Sequence, residues 1–137
     1  MQLKRDTDYA LRILLCVGEN RTADPKAAEG LGVSALHTQT GVPRIRVKRL
    51  CERLVEKKLL LTRETAGGES RYFPGRDLSR LSLLEVVRAV EGSTRLFAVF
   101  DKKSRFYAPA ARQMEALQET IEETLSEWIL EKFFTNP

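Results

Sequence analysis

The residues with the clearest chemical potential are cationic. Between Val42 and Arg63 the chain carries Arg44, Arg46, Lys48, Arg49, Arg53, Lys57, Lys58 and Arg63 against Glu52 and Glu56, a net +6 in a chain whose formal charge is +4. Positive charge concentrated on one segment suits a phosphate backbone as partner. The groups that catalysis or metal binding needs are sparse beside it. His37 is the only histidine and stands in no constellation with a nucleophile or a carboxylate, so no catalytic residue is assigned. Cys16 and Cys51 are the only cysteines, far apart and without a C-x-x-C pattern, so no metal ligand and no cofactor are assigned. An iron–sulfur cluster asks for about four ligands, mainly thiolates. Both cysteines fall in apolar helical patterns, where a thiol ordinarily serves as a small core residue.

The cations need elements to hold them. Residues 5–18 are predicted to form a first helix, with Ala10, Leu11, Ile13, Leu14, Cys16 and Val17 on its apolar face and Gly18 as its stop. Lys4 and Arg5, at its start, join the candidate DNA contacts. Asp24 and Pro25 suit the start of a short helical turn reaching Glu29. Val33–Thr40 reads as a second, short helix with Leu36 inward. Gly41 turns the chain, and Pro43 opens a third helix over residues 43–58. A short helix, a Thr-Gly-Val turn and a longer helix form a helix-turn-helix pattern.

On a wheel of about 100° per residue, Val47, Leu50, Cys51, Leu54 and Val55 gather on the packing side of the third helix. Arg46, Arg49 and Arg53 gather opposite, with Ile45 and Lys48 on the flank. The N-terminal residues of such a helix reach base edges, so Arg44, Ile45, Arg46, Lys48, Arg49 and Arg53 are candidate DNA contacts. Ile45 suits a thymine methyl. The bland alternative, that the charges merely solvate the helix, fits poorly with an excess of one sign. Leu59–Arg63 and Arg71–Phe73 flank Gly67 and Gly68 and read as a two-stranded hairpin, a wing over residues 60–73. Arg63 and Arg71 on its arms complete the DNA set.

Ser82 and Glu85 form a capping box for a fourth helix, Leu83–Glu91, stopped by Gly92. Ser93–Pro109 is irregular and aromatic. A last helix is expected from about Pro109 to Phe134, with Met114, Leu117, Ile121, Leu125, Trp128 and Ile129 recurring at helical spacing. Residues 111–137 hold two basic and six acidic residues, net −4. A long acidic amphipathic helix does not approach DNA but needs cover for its apolar stripe. A second copy of the same helix provides it, giving a homodimer.

The 137 residues, 42% hydrophobic and 31% charged, suit one folded, soluble unit with an appended helix. No apolar run reaches membrane-spanning length, and the N-terminus lacks the character of a secretory signal. No membrane is expected as partner, and the expected location is cytoplasmic. The expected fold is mainly α: a winged helix-turn-helix over 1–92 with a small two-stranded β wing, then a linker and a long C-terminal dimerisation helix over 93–137.

These residues resemble the winged-helix repressor family that includes the bacterial regulators IscR, NsrR and CymR. The likeness rests on Met1 and Leu3 and on Tyr9, Ala10, Leu11, Arg12, Leu14 and Leu15 in the first helix. It continues through Thr40-Gly41-Val42, Leu50, Leu54, Leu59 and Leu60, and it is strongest over Leu81–Gly92. The resemblance implies a homodimeric bacterial regulator that sets its reading helix in the major groove and its wing in the minor groove of a palindrome. Cluster-bearing members place three cysteines in the region matching Ser93–Ala110, where this chain has none. Cluster chemistry is therefore not carried over, and Asp8, near a non-cysteine ligand position of some members, receives no such role. Arg46 and Lys48 replace a tyrosine and a glutamate common in the family, which points to a different operator.

The main reading is thus a DNA-binding repressor on double-stranded DNA. The alternatives are a non-specific nucleic-acid binder or adaptor that uses the basic face, and a thiol-based redox regulator. Three signals stand side by side. A small molecule would bind between walls supplied by Phe97, Phe100, Phe106 and Tyr107, unless those aromatics pack the dimer core. A protein partner would gate the dimer. A thiol switch would act through Cys51, near Arg49 and Arg53.

Overall fold

The computed structural model describes residues 5–23, 30–92 and 105–134. Lys4, the expected turn at Asp24–Glu29, and Phe97 and Phe100 lie outside the described residues. Helix α1 (Arg5–Ala23) buries Ala10, Ile13, Leu14 and Val17, the i, i+3, i+4, i+7 stripe of a packed helix. It runs five residues past the stop expected at Gly18. A Cβ at Gly18 would lie 2.4 Å from Leu78 Cδ1, so this glycine admits the neighbouring 3₁₀ turn Leu78–Arg80 rather than ending the helix. A glycine inside a helix costs only about 1 kcal/mol, which packing here overrides.

The short strand β1 (Leu31–Gly32) leads into α2 (Val33–Thr40), which buries Leu36. Gly41 adopts a left-handed φ of 76° and donates its N–H to the His37 carbonyl at 3.0 Å. The His37 Nδ1–H donates to the Val42 carbonyl at 2.7 Å, and the Val42 N–H donates to Thr40 Oγ1 at 3.2 Å. The lone histidine therefore ties the turn that sets α2 against α3 (Arg44–Glu56). Helix α3 buries Val47, Leu50, Cys51 and Leu54. Its end is a double cap: Lys58 N–H donates to Val55 O at 3.0 Å and Leu59 N–H to Leu54 O at 2.9 Å. Lys58 takes the left-handed conformation that glycine usually supplies there, φ 64°.

Strands β2 (Leu60–Glu64) and β3 (Ser70–Pro74) pair antiparallel, with Arg63 opposite Arg71 and Leu61 opposite Phe73. The expected two-stranded wing is three-stranded, because β1 pairs with the far edge of β3 through Leu31 opposite Tyr72. Two residues carry no alternation, so their pairing leaves no mark in the sequence.

Helix α4 (Leu83–Glu91) starts at Ser82, whose Oγ accepts from Glu85 N–H at 3.2 Å. Only half of the expected capping box forms: the Glu85 carboxylate turns to Arg76 instead. Helix α5 (Tyr107–Glu127) begins two residues early and ends seven before Phe134. The chain then extends through Trp128 and Ile129 into a 3₁₀ segment, Leu130–Phe134. Leu83 N–H donates to Trp128 O and Leu130 N–H to Leu81 O, both at 2.8 Å, and Ser82 bridges Ile129. This clasp satisfies a donor in the first turn of α4 that has no partner within its own helix. It also places Leu130, 0% exposed, in the core among residues of α1, α2, α3 and α4. The core thus crosses the boundary expected at residue 92.

Candidate nucleic-acid interface

The four residues that α3 buries fix which way it faces. On the wheel the pole opposite Val47, Leu50, Cys51 and Leu54 falls on Ile45, Arg49, Glu52 and Glu56. Ile45 is 75% exposed, and Lys48, Arg49, Glu52 and Glu56 are exposed beside it. This corrects the expected face: Arg46 and Arg53 lie on a flank rather than at its centre, and Ile45 moves from flank to pole. The signal was present in the apolar positions, but the arginines are more conspicuous than the angle.

The cations divide by their partners. Arg46 Nη1 lies 2.9 Å from Asp6 Oδ1 at the start of α1. Arg53 Nε donates to the Ala89 carbonyl at 2.8 Å near the end of α4. Arg44 donates to Ser34 Oγ at 3.0 Å. Lys48 and Arg49 make no hydrogen bond or ion pair with any described residue. Arg5 is exposed at the opening of α1. On the wing, the Arg63 guanidinium lies 5.2 Å from the centre of the Phe73 ring. Arg71 reaches Glu69 at 3.3 Å and the Gly30 carbonyl at 3.5 Å.

Between α3 and the wing lies an open cleft of about 580 Å³, with Arg44, Lys48 and Glu52 on the helix side and Thr62, Glu69 and Tyr72 on the wing side. Helix α3 and the wing therefore share this cleft, whereas the start of α1 meets α3 on its other flank, through Asp6 and Arg46. Glu52 and Glu69 interrupt the cleft's positive field. Asp6, Ser34 and Ala89 were not legible as partners of this surface. Asp6 and Arg46 stand 40 residues apart, and neither local pattern announces the other.

The expected association stripe on α5 is uneven. Met114, Ile121 and Leu125 are half-buried, whereas Leu117 is 49% and Trp128 51% exposed. The buried residue of this helix is Gln118, whose Nε2 donates to Glu122 Oε1 at 3.1 Å. Trp128 lies 6.2 Å from Phe133, ring centre to ring centre. Ile129 belongs to the clasp rather than to the helix. Of the proposed pocket aromatics that are described, Phe106 is 62% exposed beneath Arg105, and Tyr107 is half-buried.

Burial, with Glu52 adding to it, pushes the Cys51 thiol up to about 12. Cys16 is also raised, by burial and then Glu19, and its thiol donates to Gln39 Oε1 at 3.3 Å. A protonated, enclosed Cys51 is a poor nucleophile. The unfolded thiol loses its proton near its ordinary 9.0 while the folded one keeps it to about 12. Stability is therefore expected to fall as pH rises through that window. Replacing Cys51 with alanine should flatten this part of the melting-temperature profile relative to the parent. An unchanged slope would mean that Cys51 ionises freely in the folded chain.

The model of the Rrf2 family, described as iron-dependent transcriptional regulator, matches residues 3–136. The donors here do not fit a thiolate-held iron centre. The chain has two cysteines, Cys51 is sealed in the core, and His37 is occupied by the turn. Among the described residues no three of His, Cys, Asp or Glu converge on a metal position. No described helix is long and apolar enough to cross a membrane. No curated protein sequence is significantly similar to the chain. Solved structures are similar in fold. CymR (YrzC), the global cysteine regulator of B. subtilis, superposes with a TM-score of 0.75 at 16% identity, covering 99% of each chain. IscR of T. potens gives 0.70 at 15% identity, over 97% of this chain and 85% of that one. The oxidised form of Staphylococcus aureus CymR gives 0.69 at 14% identity over the whole of both. With a family match spanning nearly every residue and a winged-helix architecture beneath it, the chain belongs to the Rrf2 family of transcriptional regulators.

Proposed function

We propose that the chain is a repressor that binds a palindromic site in double-stranded DNA as a homodimer, in the cytoplasm of a bacterium. Each α3 enters the major groove, and each wing lies near the minor groove. The observation that carries this reading is the exposed pole of α3, where Ile45 stands 75% open to solvent beside Lys48 and Arg49, which have no partner among the described residues. A large apolar side chain held out among cations suits a thymine methyl flanked by phosphates and base edges. Arg5, Arg44, Arg63 and Arg71 supply backbone contacts around it, and Lys4, outside the described residues, is assigned to the same set from the sequence. Arg53, whose Nε donates to the Ala89 carbonyl, joins them through its outer nitrogens alone. Glu52 and Glu56 beside the same pole argue against a partner bound by charge alone. Helix α5 associates the two copies through Leu117 with Met114, Ile121 and Leu125, and Trp128 just past its end joins them. The inert state of Cys51 disfavours a thiol signal and favours a small molecule or a partner protein as effector.

Selection of binding sites from random duplexes, followed by competition at rising salt, tests the reading. A palindrome that keeps its preference as salt rises is expected, with Ile45→Ala reducing the preference at a thymine by about 1 kcal/mol. Equal loss of all sequences with salt would identify an electrostatic binder instead.

A further inference from the structure

We propose that Asp6 is a positioning residue of the DNA interface: its carboxylate holds the Arg46 guanidinium so that the remaining N–H donors present themselves to a guanine edge. The inference rests on the DNA-binding reading above. Asp6 lies in the first turn of α1 and Arg46 in the first turn of α3, joined at 2.9 Å. The two side chains remain 33% and 41% exposed, so the pair sits at the surface and not in the core. The anchor itself is fixed. Thr7, beside Asp6, donates its hydroxyl proton to Glu91 Oε1 at 2.7 Å, and Arg53 seats α3 on the Ala89 carbonyl. The start of α1 and the end of α4 thus frame one flank of the reading helix.

An ion pair this exposed stabilises the fold little. What it does remove is rotamer freedom that Arg46 otherwise loses on binding DNA. Arg46 keeps further donors in the planar fork that matches guanine O6 and N7. Asp6 also repels phosphate, so its two effects on binding have opposite signs. It sharpens the choice of sequence and weakens attachment to any sequence.

The test compares Asp6→Asn, Arg46→Ala and the double variant on the selected site, on its single-base changes and on random duplex. Asp6→Asn should lower discrimination at one G·C pair about tenfold, while affinity for random duplex stays level or rises. In the Arg46→Ala background the same change should have no further effect on discrimination, and Asp6→Glu should restore discrimination. Thermal melts of each variant keep folding defects apart from recognition. Unchanged discrimination at every position, equal loss on specific and random DNA, or additivity with Arg46→Ala would overturn the assignment. A parent protein that selects no site overturns the DNA reading itself, and this inference with it, before any variant is compared.

Discussion

Replacing Leu130 with alanine is expected to lower the free energy of unfolding by about 2–5 kcal/mol, although the residue lies seven positions from the end of the sequence. Its side chain is fully enclosed in the core, and its own N–H and the Trp128 carbonyl two residues before it are clasped to Leu81 and Leu83. Truncation leaves a cavity that this doubly fixed segment is poorly able to close, so relaxation recovers little of the loss. Phe133, three residues on and 40% exposed, is the control and should change stability far less. Urea unfolding at a fixed protein concentration measures both, since association would itself shift the midpoint. An alanine variant within about 0.5 kcal/mol of the parent, the range of ordinary surface changes, would show that the clasp does not pack in solution.

Leu117→Asp is expected to convert the proposed dimer into a monomer. Leu117 is half-exposed on a helix whose inward position is taken by Gln118, so the monomer itself does not depend on it. A carboxylate there costs the isolated fold little, but it would be buried without a partner between two copies of α5. Sedimentation should register the halved mass. Affinity for the palindrome should fall about 100-fold or more, because each half-site then binds alone. Melting behaviour at low concentration should stay near that of the dissociated parent. A variant that still sediments as a dimer removes Leu117 from the interface and moves the association surface elsewhere.

Much of the reading end was legible because its signals are local. The bounds of α2 and α4, the glycine at the turn and the serine cap follow from three- and four-residue spacings and from backbone conformations few residues adopt. Legibility failed where a residue served a distant partner. Gly18 reads as a stop until Leu78 is seen above it. Glu85 reads as a capping-box acid until Arg76 competes for it. The last helix reads as continuous to Phe134, because Trp128 and Ile129 keep helical spacing while the clasp draws them into extended backbone.

The basic segment divides along the same line. Residue order alone determined that a short helix, a glycine turn and a cationic helix follow one another, and that a wing and an acidic helix come after. Hydrophobic period and turn chemistry act over a few residues, so they survive in a one-dimensional text. Tertiary structure alone decided which of those cations are held and by what. Arg53 is held by Ala89 and Arg46 by Asp6, while Lys48 and Arg49 beside Ile45 have no partner among the described residues. Such pairings depend on how whole helices dock, and a guanidinium meets whichever acceptor docking brings within about 3 Å, however far away it lies along the chain.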